Sequence, residues 1–155
     1  ISSPFSGTSG TPAVANIVGE TASSGGNINT KYISRRVTLE DGFDASDLKV
    51  IVNAYKPLGS GLHVYFKVKS DEDPEDFDKK DYVLMSQETP SSVFSLTEGD
   101  TKELVFKSAN DAITYTSSNV TYEKFKTFAI KIALTSNNAT VIPKVRDMRA
   151  IALDE

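Results

Sequence analysis

Residues 62–69 read LHVYFKVK, and their alternation decides the fold class: Val64, Phe66 and Val68 point one way, while His63, Tyr65, Lys67 and Lys69 point the other. A side chain that changes face at every residue marks an extended strand with one side in a core and one toward water. The same period runs through LKVIVNAY (48–55), where Leu48, Val50, Val52 and Ala54 share a side and Ile51 and Tyr55 lend the other some apolar character. Between the two runs, KPLGSG (56–61) supplies Pro57, Gly59 and Gly61, residues suited to a tight connection. A hairpin of antiparallel strands is expected, with the polar face of 62–69 outward.

Further strand-like runs are YISRRVTL (32–39), YVLMS (82–86), VFSLT (93–97), KELVFK (102–107), AITYT (112–116), FAIKIALTS (128–136) and KVRDMRAIAL (144–153). Strict alternation places Ile33, Val37 and Leu39 on one face, with Arg35 the exception on it. In the penultimate run Phe128, Ile130, Ile132 and Leu134 alternate with Ala129, Lys131, Ala133 and Thr135. The last alternates Val145, Asp147, Arg149, Ile151 and Leu153 with Arg146, Met148, Ala150 and Ala152, and the small alanines imply close packing. TYEKFK (121–126) has room for one helical turn at most. Many short strands without a long amphipathic helix predict an all-β, antiparallel β-sandwich of jelly-roll type over residues 31–155. Residues 1–30 carry a single charge, Glu20, amid Ser, Thr, Gly, Pro and Ala. They are expected to form a flexible or partner-ordered N-terminal arm, whose AVANIVG patch (13–19) suits packing on a neighbour.

A chain of 155 residues is the size of one domain and can bury a core without staples. It has no cysteine, so disulfides, thiolate metal sites and a thiol nucleophile are excluded. The net charge of −4 and the absence of a basic stripe argue against nucleic acid; Arg35 and Arg36, adjacent on a strand, face opposite ways. No apolar run approaches the roughly 18 residues of a membrane-spanning helix, so no membrane insertion is expected. No signal peptide opens the sequence, and its start at Ile1 suggests a processed chain or a segment of a longer one.

The densest chemistry lies in DEDPEDFDKKD (71–81), which holds seven carboxylates. An EF-hand counted from Asp71 needs glycine at its sixth position and glutamate at its twelfth, where this chain has Asp76 and Tyr82. An irregular calcium site could draw on Asp71, Asp73, Asp76 and Asp78, the only metal-ligand candidates. The favoured expectation is a solvated hairpin tip without a cofactor, in which Pro74 helps end the strand, Phe77 folds back as an anchor, and Lys79 and Lys80 offset charge. Adjacent acids in a loop are not the convergent pair that hydrolysis requires, and His63, the sole histidine, has no nucleophile motif beside it. No catalytic residue is assigned, and the chain is expected not to be an enzyme. Tyr55, Tyr65, Tyr82, Tyr115 and Tyr122 are available as glycan platforms, though on strands such residues usually pack. The sequons at Asn119 and Asn138 matter only in a glycosylating secretory pathway.

Four strings, LEDGFDASDLKV (39–50), AYKPLGSGLHVYFKV (54–68), EDFDKK (75–80) with YVLM (82–85), and FAIKIALTS with VIPKVRDMRAIAL (141–153), resemble a domain of large virion structural proteins of tailed bacteriophages, similar to contractile-tailed phages of marine cyanobacteria. The resemblance spans about two-thirds of the chain and carries no catalytic residue. It implies a virion location as a tail, baseplate or fibre-associated module, held by other virion proteins or by copies of itself, with host-surface glycan recognition as the alternative role. In such an assembly the acidic loop is expected either to repel unwanted sheet-edge association or to complement basic surfaces on other copies, with residues such as Arg35, Arg36, Arg146 and Arg149 to provide them.

Overall fold

The computed structural model describes residues 19–26, 31–90, 94–97, 99–109, 112–136 and 143–153. Eleven strands follow in chain order: β1 (Lys31–Ile33), β2 (Val37–Thr38), β3 (Asp47–Tyr55), β4 (Ser60–Lys69), β5 (Val83–Leu84), β6 (Ser86–Gln87), β7 (Lys102–Lys107), β8 (Tyr115–Ser117), β9 (Val120–Tyr122), β10 (Thr127–Ser136) and β11 (Lys144–Leu153). One sheet runs β1-β10-β4-β5, with β2 also on β10; the second runs β11-β3-β7-β6; β8 and β9 form a separate hairpin. All the ladders are antiparallel, and the chain is an all-β sandwich.

The alternation of β3, β4 and β10 builds the core. Leu48, Val50, Val52 and Ala54 meet Leu62, Val64, Phe66 and Val68, and Phe128, Ile130, Ile132 and Leu134 fill the remaining width, joined by Leu104 and Phe106 of β7. Each Val, Leu, Ile or Phe side chain among them removed from water contributes about 1.5–3 kcal/mol. Phe125 closes one end, edge-on to Phe128 with ring centres 6.1 Å apart.

Three local irregularities redirect the chain where strict alternation predicts continuity. YISRRVTL breaks at Ser34, whose N–H donates to the Ile130 carbonyl (2.8 Å) and whose Oγ accepts the Ile130 N–H (2.9 Å). Ile33 therefore pairs with Lys131 while Val37 pairs with Phe128, along the same edge of β10 but on opposite faces of the sheet. YVLMS is two strands: β5 pairs with β4, β6 pairs with β7, and buried Met85 marks the crossing between sheets. In β11 the register shifts between Val145 and Asp147. This bulge puts Val145 against Ala54, on the core side with Met148, Ala150 and Ala152, and leaves Asp147, Arg149 and Ile151 outside.

Two turns fit their residues. Ser60 N–H donates to the Pro57 carbonyl (3.1 Å) with Gly59 at φ 87°, the left-handed position of a type II turn. Ser118 and Asn119 both have positive φ (50° and 66°), joining β8 to β9 by a two-residue turn with the twist of a type I′. TYEKFK forms no helix, and the described part of VFSLT makes only an isolated bridge from Ser95 to Pro57. Of the expected arm, residues 1–18 and 27–30 lie outside the described residues, as does the Asn138 sequon; residues 19–26 form a turn docked on the first sheet.

Candidate interaction surface

The acidic loop between β4 and β5 is anchored from within. Lys80 Nζ lies 2.5 Å from Asp73 Oδ2 and 2.9 Å from Glu75 Oε1, and donates to Ser117 Oγ at 3.1 Å. Tyr115 OH donates to Asp73 Oδ2 (2.8 Å) and accepts the Ser70 N–H (2.7 Å); Asp73 Oδ1 accepts the Glu75 N–H (2.9 Å). Burial works against the Asp73 charge, yet the bonds from Lys80, Glu75 N–H and Tyr115 outweigh it and hold the carboxyl below its usual range. Burial likewise opposes the Lys80 charge, but its two carboxylates raise its pKa, so it stays an ammonium. Tyr115 is pushed upward, first by burial and then by the Asp73 carboxylate.

The expectation of a wholly solvated tip therefore fails at Asp73, which is interior. Phe77 is buried as an anchor, opening a single turn of 3-10 helix (Phe77–Lys79), with the Arg36 guanidinium 4.8 Å and the Lys67 ammonium 5.4 Å from its ring centre. Asp71, Asp76 and Asp78 are exposed, and Asp78 bonds Arg36 of the same chain at 3.0 Å. The four candidate metal ligands are thus not brought together. Among the described residues no group of three or more His, Cys, Asp or Glu is gathered to hold a metal. Beside the loop lies a hollow of about 280 Å³ with an apolar floor at Phe66 and Ile113 and a hydroxyl rim at Thr114, Thr116 and Ser117.

The supposedly outward face of β4 carries a second buried network. Lys131 is fully buried in the middle of β10, where it pairs with Tyr65. Its Nζ donates to the Glu20 carbonyl, to Glu20 Oε1 (3.2 Å) and to the Gly25 carbonyl (3.0 Å), between the rings of Tyr65 (4.4 Å) and Tyr82 (4.9 Å). Lys67 donates to the Ser23 carbonyl, Lys31 to those of Gly25 and Gly26, and Tyr82 N–H to that of Thr21. Three lysines thus fasten residues 19–26 over the sheet, and Tyr65 and Lys67 are interior, contrary to their alternation. Burial, aided by the Lys31 charge, lowers the Lys131 pKa, with Glu20 resisting. Gly26, at φ 78°, is required: a Cβ there would stand 2.2 Å from Glu20 Oε2. Two clues in the sequence were available, the lone charge of a long uncharged stretch and the lone charge inside FAIKIALTS.

His63 has its pKa lowered by burial and by the Lys56 charge, so its ring is neutral near pH 7. Tyr115 and Tyr122 stack on each other with centres 5.2 Å apart, and Tyr65 and Tyr82 lie inside the lysine cage. These four rings are committed internally.

Among the described residues β1, β5, β6 and β11 end the two sheets, and β11 is by far the longest of them. Phe106 and Leu104 pair with Val50 and Val52, while the Val105 carbonyl accepts the Glu88 N–H (2.7 Å), so main-chain groups of Lys49, Ile51 and Asn53 turn toward β11. Their partners Ile151, Arg149 and Asp147 turn back, and the Leu153 carbonyl accepts the Ser46 N–H at 2.8 Å. By alternation the N–H and C=O groups of Met148, Ala150 and Ala152 face away from the sheet. The Met148 N–H donates to Oδ1 of the preceding residue, Asp147, at 2.9 Å. Among the described residues no strand covers this edge. Phe43, 65% exposed, lines a hollow with Ala152 at one end of it, and Tyr32 lines a groove of about 480 Å³ with Met148 at the other.

Comparison of the chain with models of protein families, with curated proteins and with solved structures gave no match in any of the three.

Proposed function

We propose that this chain is a non-enzymatic, jelly-roll-like structural module of a bacteriophage particle, fixed in a tail, baseplate or fibre by contacts with other virion proteins or copies of itself. The observation that carries this reading is the ten-residue edge of β11, which no strand among the described residues covers and whose last six residues, MRAIAL, have no bulge or proline to blunt them. Such an edge is a template for another strand. The sequence resemblance supplies the setting. The internal commitment of Lys80, Lys131 and four tyrosines fits a part whose polar groups hold its own shape. Cross-linking of purified particles tests the proposal: links from Lys144, at the start of β11, or Lys49, on the adjoining β3, to other virion proteins are expected. Absence of the chain from the particles would overturn it.

The hollow at Phe66 and Ile113 favours a second reading, recognition of a host-surface glycan, because an apolar floor with a hydroxyl rim suits a sugar ring. A glycan array separates the two: binding abolished by Thr116→Val would support recognition, and an array blank for the intact chain would remove it.

A further inference from the structure

We propose that the partner of β11 is β11 of a second copy, paired antiparallel about a two-fold axis at Ala150. The inference rests on the structural reading above and names the contact. A two-fold axis makes an interface self-complementary, so the strand must match its own reverse. Three residues have outward main-chain groups, and Ala150 is the middle one. Placing Ala150 opposite its own copy sets Met148 opposite Ala152 twice, so each outward N–H and C=O gains a partner, about six inter-copy bonds in total. An axis at Met148 would instead run the partner into the Val145–Asp147 irregularity, where the register is broken.

The side chains agree with this register. On the outer face Arg149 stands opposite Ile151 of the other copy in a non-hydrogen-bonded pair, the closer kind, and its aliphatic stem can cover the exposed Ile151 while the guanidinium keeps its own chain's Glu103, 3.8 Å away. Because Met148 of one copy opposes Ala152 of the other, it also approaches the exposed Phe43, which shares a hollow with Ala152. The bond from Met148 N–H to Asp147 Oδ1 would be exchanged for one to the second strand.

Sedimentation equilibrium of the whole chain from micromolar to millimolar concentration tests the pairing, with three variants. The wild type should rise toward twice its monomer mass, with amides of Ala150 and Ala152 gaining protection from exchange as it does so. Ile151→Glu, placing a carboxylate opposite Arg149 of the other copy, should tighten the dimer roughly two- to thirtyfold over two symmetric contacts, and Ile151→Lys should weaken it comparably. Ala150→Pro removes an N–H that the monomer does not use and should abolish association while circular dichroism stays that of the folded chain. A wild type that remains monomeric throughout, or a dimer indifferent to all three variants, would overturn the proposal. If the chain stays monomeric yet cross-links through β11 to other virion proteins, self-pairing alone falls. If it dimerises but is missing from particles, the virion reading falls instead.

Discussion

Lys131 shows how far a single residue can depart from the pattern around it. Alternation along β10 assigns it to the outer face, which is where it lies, but that face is roofed by residues 19–26. Nothing in a strand's own period announces a cover from a hundred residues away. A buried ion pair broken on one side leaves an uncompensated charge, so Lys131→Met is expected to cost about 3–5 kcal/mol, while Lys131→Met with Glu20→Gln should recover most of the loss. Denaturant titrations of the two single variants and the double measure that coupling. A different sign logic governs Asp73. Its folded pKa lies below the unfolded value, so its contribution is fully present above about pH 4 and is lost as pH falls through the folded pKa. Unfolding free energy measured against pH should therefore drop in acid for the wild type, and Asp73→Asn should flatten that limb while lowering stability near neutrality. The anchoring role of Phe77 was legible, because an aromatic among seven carboxylates has few other uses; the Asp73–Lys80 pair was not, since its partner Tyr115 arrives from another strand.

At the level of elements, the long strands β3, β4 and β10 were legible from alternation alone, and the departures fall where the chain spends a residue on changing direction. The Val145–Asp147 bulge inverts the face of Val145, and one extra residue in a strand does not alter its composition. Met85 is the clearer case. Five apolar-leaning residues read as one strand, but the chain leaves β4 after Leu84 and joins β7 from Ser86, with the Met85 N–H donating to the Val64 carbonyl at 2.8 Å. Met85 occupies the seam between both sheets, so Met85→Ala should cost about 2–5 kcal/mol through an unfilled cavity. Thermal melts of this variant beside Leu84→Ala, an exposed neighbour on β5, would separate seam packing from strand propensity: the first should fall markedly and the second little.

For the whole molecule, fold class was the most legible property, because two sheets are the simplest way to hide the inner faces of many amphipathic strands. Which strands become neighbours was not, since pairing such as Lys31 with Ala133 depends on closing a long loop and leaves no local trace. That remoteness predicts slow folding: stopped-flow refolding should give times of milliseconds to seconds, well behind helical chains of this size. The central position of β10 also sets an order of events during synthesis. β1, β2 and β4 all pair with β10, which begins only at Thr127, so the ribosome finishes β4 at Lys69 and must add the intervening stretch before the common partner exists. At roughly 5–20 residues per second this leaves a nascent chain for about 3–12 s with the β4 edge unclaimed, a window in which neighbouring polysome chains compete for it.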